Sequence, residues 1–316
     1  MLSTDSCATG RAPRAAAWML LSRLYLNAEV YHAGDHNDSC MLYAQKVINE
    51  GGYALENNYG QLFNADNDKR VGKGHEIIFP FMFSNVSTVS WGGATYLICG
   101  EGDTGNSAVG DSVGCSSVWS MFRIRGEVPA LFGANDKRAM FYTTGQTRTL
   151  DKGITDRSGG YFVVKWSNKT DANTVAVTNV SADGAKTLFP VFRLADAYLM
   201  YAEAAARTNT NLSTALGYVN DLRSHRNASL VTESDLIATT EGIPYRFFLD
   251  ERARELYWEC VRRTDLIRFN CFTTSTYLWQ WKGGAKDGQE VNAKYNIYPI
   301  PATEISANPN LYNTNY

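Results

Sequence analysis

The stretch FFLDERARELYWECVRRTDLIRF, residues 247–269, constrains what this chain can fold into more than any other. Leu249, Ala253, Leu256, Tyr257, Cys260, Thr264 and Ile267 recur at steps of three and four, so the spacing predicts one continuous helix with a single buried stripe. Asp250 makes the first turn acidic, and Arg262, Arg263 and Arg268 make the last turn basic, which suits the helix dipole. Asp250 with Arg254 and Glu259 with Arg263 are expected to pair at i,i+4 along a charged flank. The carboxylates of the stretch sit three or four residues from an arginine, so they read as structural acids rather than catalytic ones.

At 316 residues the chain has room for one large or two ordinary domains with ample core. Its formal charge is −2 and it contains no block of Lys and Arg, which argues against nucleic acid or an anionic lipid surface as the main partner. Cys7, Cys40, Cys99, Cys115, Cys260 and Cys271 form no CxxC, so neither a zinc site nor a dense disulfide framework is expected. Cys260, on the stripe, is expected to be a small buried hydrophobe. No apolar run approaches the ~18 residues of a membrane span. The opening MLSTDSCATGR has no hydrophobic signal core, and no apolar segment precedes Cys7 to make it a lipidation site. Aromatic residues make up 12%, with 18 Tyr and 7 Trp, and such rings point to a binding surface as readily as to a core.

Residues 12–31 predict a helix with Ala16, Met19, Leu20, Arg23, Leu24 and Asn27 on one face and Pro13 in its first turn. A second helix, 41–50, is expected after a cap at Asp38 or Ser39, and Gly51-Gly52 stops it. Two such helices make a tetratricopeptide-like pair, which needs neighbours to bury both faces. From 57 to 189 the texture is Gly, Ser, Asn and Asp with short apolar runs at 76–83 and 161–166. Short strands and long loops are expected there, with helix near 117–122 and around 129–132. Helical spacing resumes at 192–207 through Leu194, Tyr198, Tyr201, Ala202 and Ala205, and again at 215–226 after Asn211 or Ser213. The tail, 295–316, reads as extended, with a turn of helix at 303–307.

Several of these segments resemble one family in the same order. FRLADAYLMYAEAAAR (192–207), ALGYVNDLRSHRN (215–227), LDERARELYWECVRRTDLIRF (249–269) and YPIPATEISANPNLYNTNY (298–316) look like the closing half of SusD/RagB proteins. AAAWMLLSRLYLNAEVY with YAQKVINEGGYALENNYGQLF (43–63) is similar to a helix pair of that family. The resemblance implies a mainly α fold, in which tetratricopeptide-like pairs form an α-α superhelical scaffold beneath a loop-rich region with short strands. It implies one domain over 1–316 lacking its N-terminal part, with helical regions 12–52 and 192–269, a glycan-facing region 57–189 and an extended tail 295–316. Members of the family are non-catalytic lipoproteins on the outer-membrane surface of Bacteroidetes. They capture oligosaccharide or polysaccharide beside a TonB-dependent, SusC-like transporter, and no cofactor is implied. Membrane contact is then expected only through a lipid anchor outside this chain, and the helix pair at 12–50 is expected to expose apolar surface.

Glycan recognition needs flat apolar platforms under the C–H faces of sugar rings, with polar groups at the rim. Each platform hides ~50–100 Å² and contributes roughly 1–2.5 kcal/mol. Two platforms, less the association cost, give a Kd of roughly 1 mM. Trp91, Tyr96 and Trp119 in the Gly/Ser-rich loops are the candidate platforms, with Arg123 and Arg125 as hydroxyl donors or loop braces. Trp279 and Trp281 in YLWQWKGG alternate like a strand, so both are expected on one side, as ligand or packing contacts. That segment resembles members associated with starch use, which makes a starch-like glucan the first expectation. His32 and His36 are separated by Gly34, which breaks the helix that their spacing would need as metal ligands. NADNDK (64–69) lacks the glycine of a calcium loop and has His75 where its glutamate should stand, so it reads as a polar turn. Two alternatives stay open. A glycoside hydrolase would need two carboxylates roughly 5–10 Å apart, for which Glu101, Asp103, Asp111 and Glu127 are the candidates. A protein-interaction scaffold would use the helical face alone.

Overall fold

The computed structural model describes residues 10–101, 107–153 and 155–313, so Cys7 and Asp103 lie outside the described residues. The helices in chain order are α1 (Arg14–Leu26), α2 (Asn37–Glu50), α3 (Gly93–Gly100), α4 (Ser107–Val113), α5 (Val180–Asp183) and α6 (Leu194–Thr208). They continue with α7 (Leu212–His225), α8 (Glu233–Ile237), α9 (Arg246–Leu256), α10 (Arg262–Arg268) and α11 (Ala302–Ala307). The strands are β1 (Ile77–Phe81), β2 (Phe141–Tyr142), β3 (Phe162–Val163), β4 (Phe189–Arg193), β5 (Thr239–Thr240) and β6 (Ile243–Pro244). They pair antiparallel as β1–β4, β2–β3 and β5–β6, three two-stranded ladders rather than one sheet. The fold is mainly α, as expected.

Helix α1 lies along α2, α2 along α6, and α6 along α7, so two tetratricopeptide-like pairs stack through α2 and α6. Alanines make the close approach possible: Ala195, Ala197, Ala202, Ala204, Ala205 and Ala206 of α6 are all buried and lose no side-chain entropy there. On α1 the buried face is Ala15, Ala16, Met19, Ser22 and Leu26; Ala16, Met19 and Asn27 of the expected face are buried, whereas Leu20 and Leu24 are not. Ser22 Oγ donates to the Cys40 carbonyl of α2 at 3.0 Å, which sets the small-residue face inward and leaves Leu20 and Leu24 about half exposed, at 50% and 46%. Helix α2 starts a turn earlier than expected, because the Asp35 carboxylate accepts from the Asn37 backbone N–H at 2.8 Å.

The continuous helix expected over 247–269 is broken. α9 ends at Leu256, Trp258 and Cys260 take left-handed φ of 59° and 64°, and α10 begins at Arg262. Two carbonyls freed near the break find buried side-chain donors. Glu255 O accepts from Tyr59 Oη at 2.5 Å and Arg193 Nη2 at 2.6 Å, and Tyr257 O accepts from Lys165 Nζ at 2.6 Å. These charge-assisted bonds replace helical ones and offset two left-handed residues at about 1–2 kcal/mol each. Leu249, Ala253, Leu256 and Tyr257 are buried as the stripe requires, but Cys260 is exposed and Thr264 and Ile267 are only half-buried. The expected flank pairs are also replaced. Asp250 accepts from Arg246 at 2.9 Å, Arg254 donates to Glu251 at 2.7 Å, and Glu259 turns inward to Lys165 and Arg193.

The acids of this region form the buried centre of the molecule instead of a solvated flank. Glu76, Glu251 and Glu255 meet Arg138, Arg193 and Arg226, and all six side chains are buried. Arg226 Nη2 reaches Glu76 Oε1 at 2.8 Å, Arg138 Nη1 reaches Glu251 Oε1 at 2.8 Å, and Arg193 Nη1 contacts both Glu76, at 2.9 Å, and Glu255. A second cluster joins α1, α6, α9 and α10 through Asp196, which accepts from Arg23 at 2.7 Å and Arg252 at 2.8 Å, and Glu203, which accepts from Arg268 at 2.8 Å. Burial pushes the Glu251 pKa up, but Arg138, Arg254 and Arg223 outweigh it and hold the carboxyl down to about 2. The structural reading of these acids therefore stands, with a different location.

The loop-rich region also departs in detail. Residues 93–100, expected as loop, form α3, and 117–122, expected as helix, form none. There the backbone N–H groups of Trp119 and Phe122 donate to Cys99 O at 2.6 Å and Gly100 O at 3.0 Å, tying the segment to the end of α3. NADNDK runs into the 3-10 turn Asn67–Arg70, anchored by Asn67 Nδ2 on Leu62 O and Leu188 O.

Candidate functional site

The site starts from a glycine. Gly93 opens α3 at φ 56°, and a Cβ there would stand 2.0 Å from Phe83 Cζ, so only glycine lets the helix start against that ring. From this start α3 buries Ala94, Thr95, Ile98 and Cys99 and turns Tyr96 outward at 36% exposure. The ring of Tyr96 meets Trp119 at 6.0 Å and Phe122 at 4.9 Å, and Phe122 meets Trp258 edge-on at 5.5 Å. Such offset and edge contacts hold rings in fixed orientations. The sequence candidates Tyr96 and Trp119 are thus brought together on one ledge. Trp91 is 69% exposed and, among the described residues, makes no ring–ring contact, so it stands apart from them.

Beyond Phe122 the ledge runs into an open cleft of about 680 Å³, lined in part by Arg123, Arg125, Glu127, Trp258, Tyr277 and Trp279. Trp279 is half-buried and stacks on Phe272 at 6.3 Å and 30°, with Lys282 Nζ 4.5 Å over its ring. Trp281 does not share its face. The segment is not a strand, and Trp281 has φ 65°, turns away and donates from Nε1 to Leu150 O at 3.1 Å. Lys282, next in the chain, is buried on the carbonyls of Cys271 and Tyr277 at 3.0 and 2.8 Å. Arg123 donates to Asp156 O and Gly159 O and so braces the loop over the cleft, as one of its two expected roles required. Arg262, expected only in the last turn of a helix, lines the cleft and donates to Tyr277 Oη at 3.1 Å. Phe122 and Trp258 were missed as site residues. Trp258 was hidden by the continuous helix expected through it, and no Gly or Pro at 257–261 marks the break.

Of the candidate acids, Glu101 is fully enclosed with neither oxygen bonded among the described residues, and burial pushes its pKa well up, against the nearby Lys165 charge. Asp111 is exposed on α4, and Glu127 lines the cleft with Oε1 accepting from Gln280 N at 2.8 Å. Among the described residues no cluster of His, Cys, Asp and Glu is arranged to hold a metal ion.

Residues 133–316, more than half of the chain, match the sequence pattern of the SusD family. The chain belongs to that family. It is 36% identical to the starch-binding protein SusD of Bacteroides thetaiotaomicron, over 96% of this chain and 60% of that protein. It is 25% identical to the SusD-like protein P25 of Formosa agariphila, over 95% of this chain and 58% of that protein. Among solved structures it superposes on surface glycan-binding protein A of B. thetaiotaomicron in complex with laminarihexaose, with a TM-score of 0.74 at 18% identity, covering 100% of this chain and 67% of that one. A SusD superfamily protein from Parabacteroides distasonis gives 0.69 at 21% identity, covering 100% and 65%. The fold is therefore the SusD fold, and the chain spans about 60% of the length of the curated SusD-type relatives it matches.

Proposed function

We propose that this chain is the glycan-holding part of a SusD-type protein. It binds oligosaccharide or polysaccharide without cutting it and hands it to a TonB-dependent, SusC-like transporter at the outer-membrane surface. We read 1–316 as one unit of a SusD-type domain, in a protein held at the membrane surface by a lipid anchor. A starch-like glucan is the first candidate ligand, supported by the relative named as starch-binding.

The observation that carries the reading is the ledge of Trp119 and Tyr96 running through Phe122 and Trp258 into a cleft backed by Trp279. Rigid ring faces beside guanidinium groups suit sugar C–H faces and hydroxyls together. Tyr96, Trp119 and Trp279 are assigned as platforms, Trp91 as an outlying one, and Arg123 and Trp281 as groups that position the loop. Glycoside hydrolysis needs two carboxylates flanking the bond. Of the described candidates Glu127 alone lines the cleft, which favours holding over cutting.

Affinity electrophoresis against a panel of soluble polysaccharides tests the reading. Retardation by a starch-like glucan is expected, weakened about thirtyfold or more in the Tyr96→Ala/Trp119→Ala double variant as two platforms are lost. No retardation by any glycan, for protein with native circular dichroism, would overturn it. Release of new reducing ends would favour hydrolysis instead. Co-purification with the transporter from membranes tests the partner.

A further inference from the structure

Beneath the ring ledge two thiols face each other. Cys99 lies in α3 and Cys115 follows α4, sixteen residues on, yet their Sγ atoms are 3.6 Å apart and both side chains are buried. Gly114, at φ 73°, turns the chain so that Cys115 points back at α3, and the Cys115 N–H closes the turn on Gly110 O at 2.8 Å. Of the other described thiols, Cys40 bonds Ser22 and the Met200 carbonyl, Cys271 bonds the Phe269 carbonyl, and Cys260 is exposed. Among the described residues no second pair of thiols is in contact.

We propose that Cys99 and Cys115 are the site of a disulfide that clips the segment carrying Trp119 onto the helix carrying Tyr96. The two sulfurs are already at van der Waals contact, so bonding needs only a small side-chain movement. In exchange with a low-molecular-weight disulfide, one of the two thiols loses its proton, attacks one sulfur and expels the other as a thiolate. The second protein thiol then loses its proton, attacks the sulfur of the first and expels the remaining half. Two protein thiols are oxidised to one disulfide, and the small disulfide is reduced to two thiols. Both thiols are closed off in the finished fold, so the exchange takes place while the segment is folding, in a compartment outside the cytoplasm where such oxidants persist. The inference stands on the sulfur geometry and does not depend on which ligand the ledge takes.

The test is to refold the whole chain in reduced and oxidised glutathione, and in parallel with dithiothreitol, then denature, alkylate and weigh it. Of the six cysteines, two fewer are expected to take the label after oxidative folding than after reduction, and peptide mapping is expected to join Cys99 to Cys115. The Cys115→Ser variant is expected to label equally under both conditions. Labelling of every cysteine in oxidatively folded wild-type protein, or a cross-link mapped to another pair, would overturn the proposal.

Discussion

At the scale of single residues, the ledge depends on positions that carry no ring. Gly93 occupies a left-handed φ with the Phe83 ring where a side chain would begin. The substitution Gly93→Ala is expected to cost about 1–3 kcal/mol through strain and overpacking, read as a lower urea midpoint. Because α3 starts there, the same variant is expected to lose glycan retention along with stability, while Tyr96→Ala loses retention alone. Cys260 tests the opposite case. It is exposed and left-handed at φ 64°, so Cys260→Gly relieves strain at an open position and is expected to raise stability by roughly 0.5–1 kcal/mol. A destabilised Cys260→Gly protein would show that the thiol packs usefully after all.

At the scale of elements, the break between α9 and α10 matters most. A helix running unbroken through 257–261 would keep its own carbonyls and leave Arg193 and Lys165 without Glu255 O and Tyr257 O. Glu255, at the end of α9, accepts from Arg138, Arg193 and Arg226. Glu255→Ala would strand those cations in the interior and is expected to cost about 3–5 kcal/mol in urea denaturation. A cost under about 1 kcal/mol would mean that water or rearrangement replaces the carboxylate. The sequence foretold the helices wherever the apolar period was carried by residues that pack locally, as in α6 and α7. It also marked the helix acids as structural, but not their partners or their place at the buried centre. The break was not legible, because its cause is an arginine and a lysine contributed from 62 and 92 residues away in the chain. The ledge was half legible: Tyr96 and Trp119 stand out by ring type in Gly-rich sequence, whereas Phe122 and Trp258 join it only through three-dimensional contact.

At the scale of the whole molecule, the buried acids set a response to pH. Glu251 and Glu203 are each held down to about 2 in the fold, where their arginine partners outweigh the effect of burial, against about 4.3 for an unfolded glutamate. The folded pKa is depressed, so their contribution is fully present above about pH 4.3 and is lost as pH falls through about 2. The melting temperature is expected to fall steeply from about pH 4 toward 2, by circular dichroism at fixed ionic strength. A level profile down to about pH 2.5 would show that the arginines stabilise these carboxylates no better than water does.

The same buried charges carry a consequence for synthesis. Glu76, Arg138, Arg193, Arg226 and Glu255 belong to five separate stretches of chain, and they neutralise one another only when all are present. A nascent polypeptide that has emerged as far as residue 240 offers guanidiniums at its centre and lacks most of the acids that quench them. The interior therefore closes late, as a single event once the last acids leave the ribosome, and a chain cut short before α9 is consigned to proteases rather than to a smaller working fold.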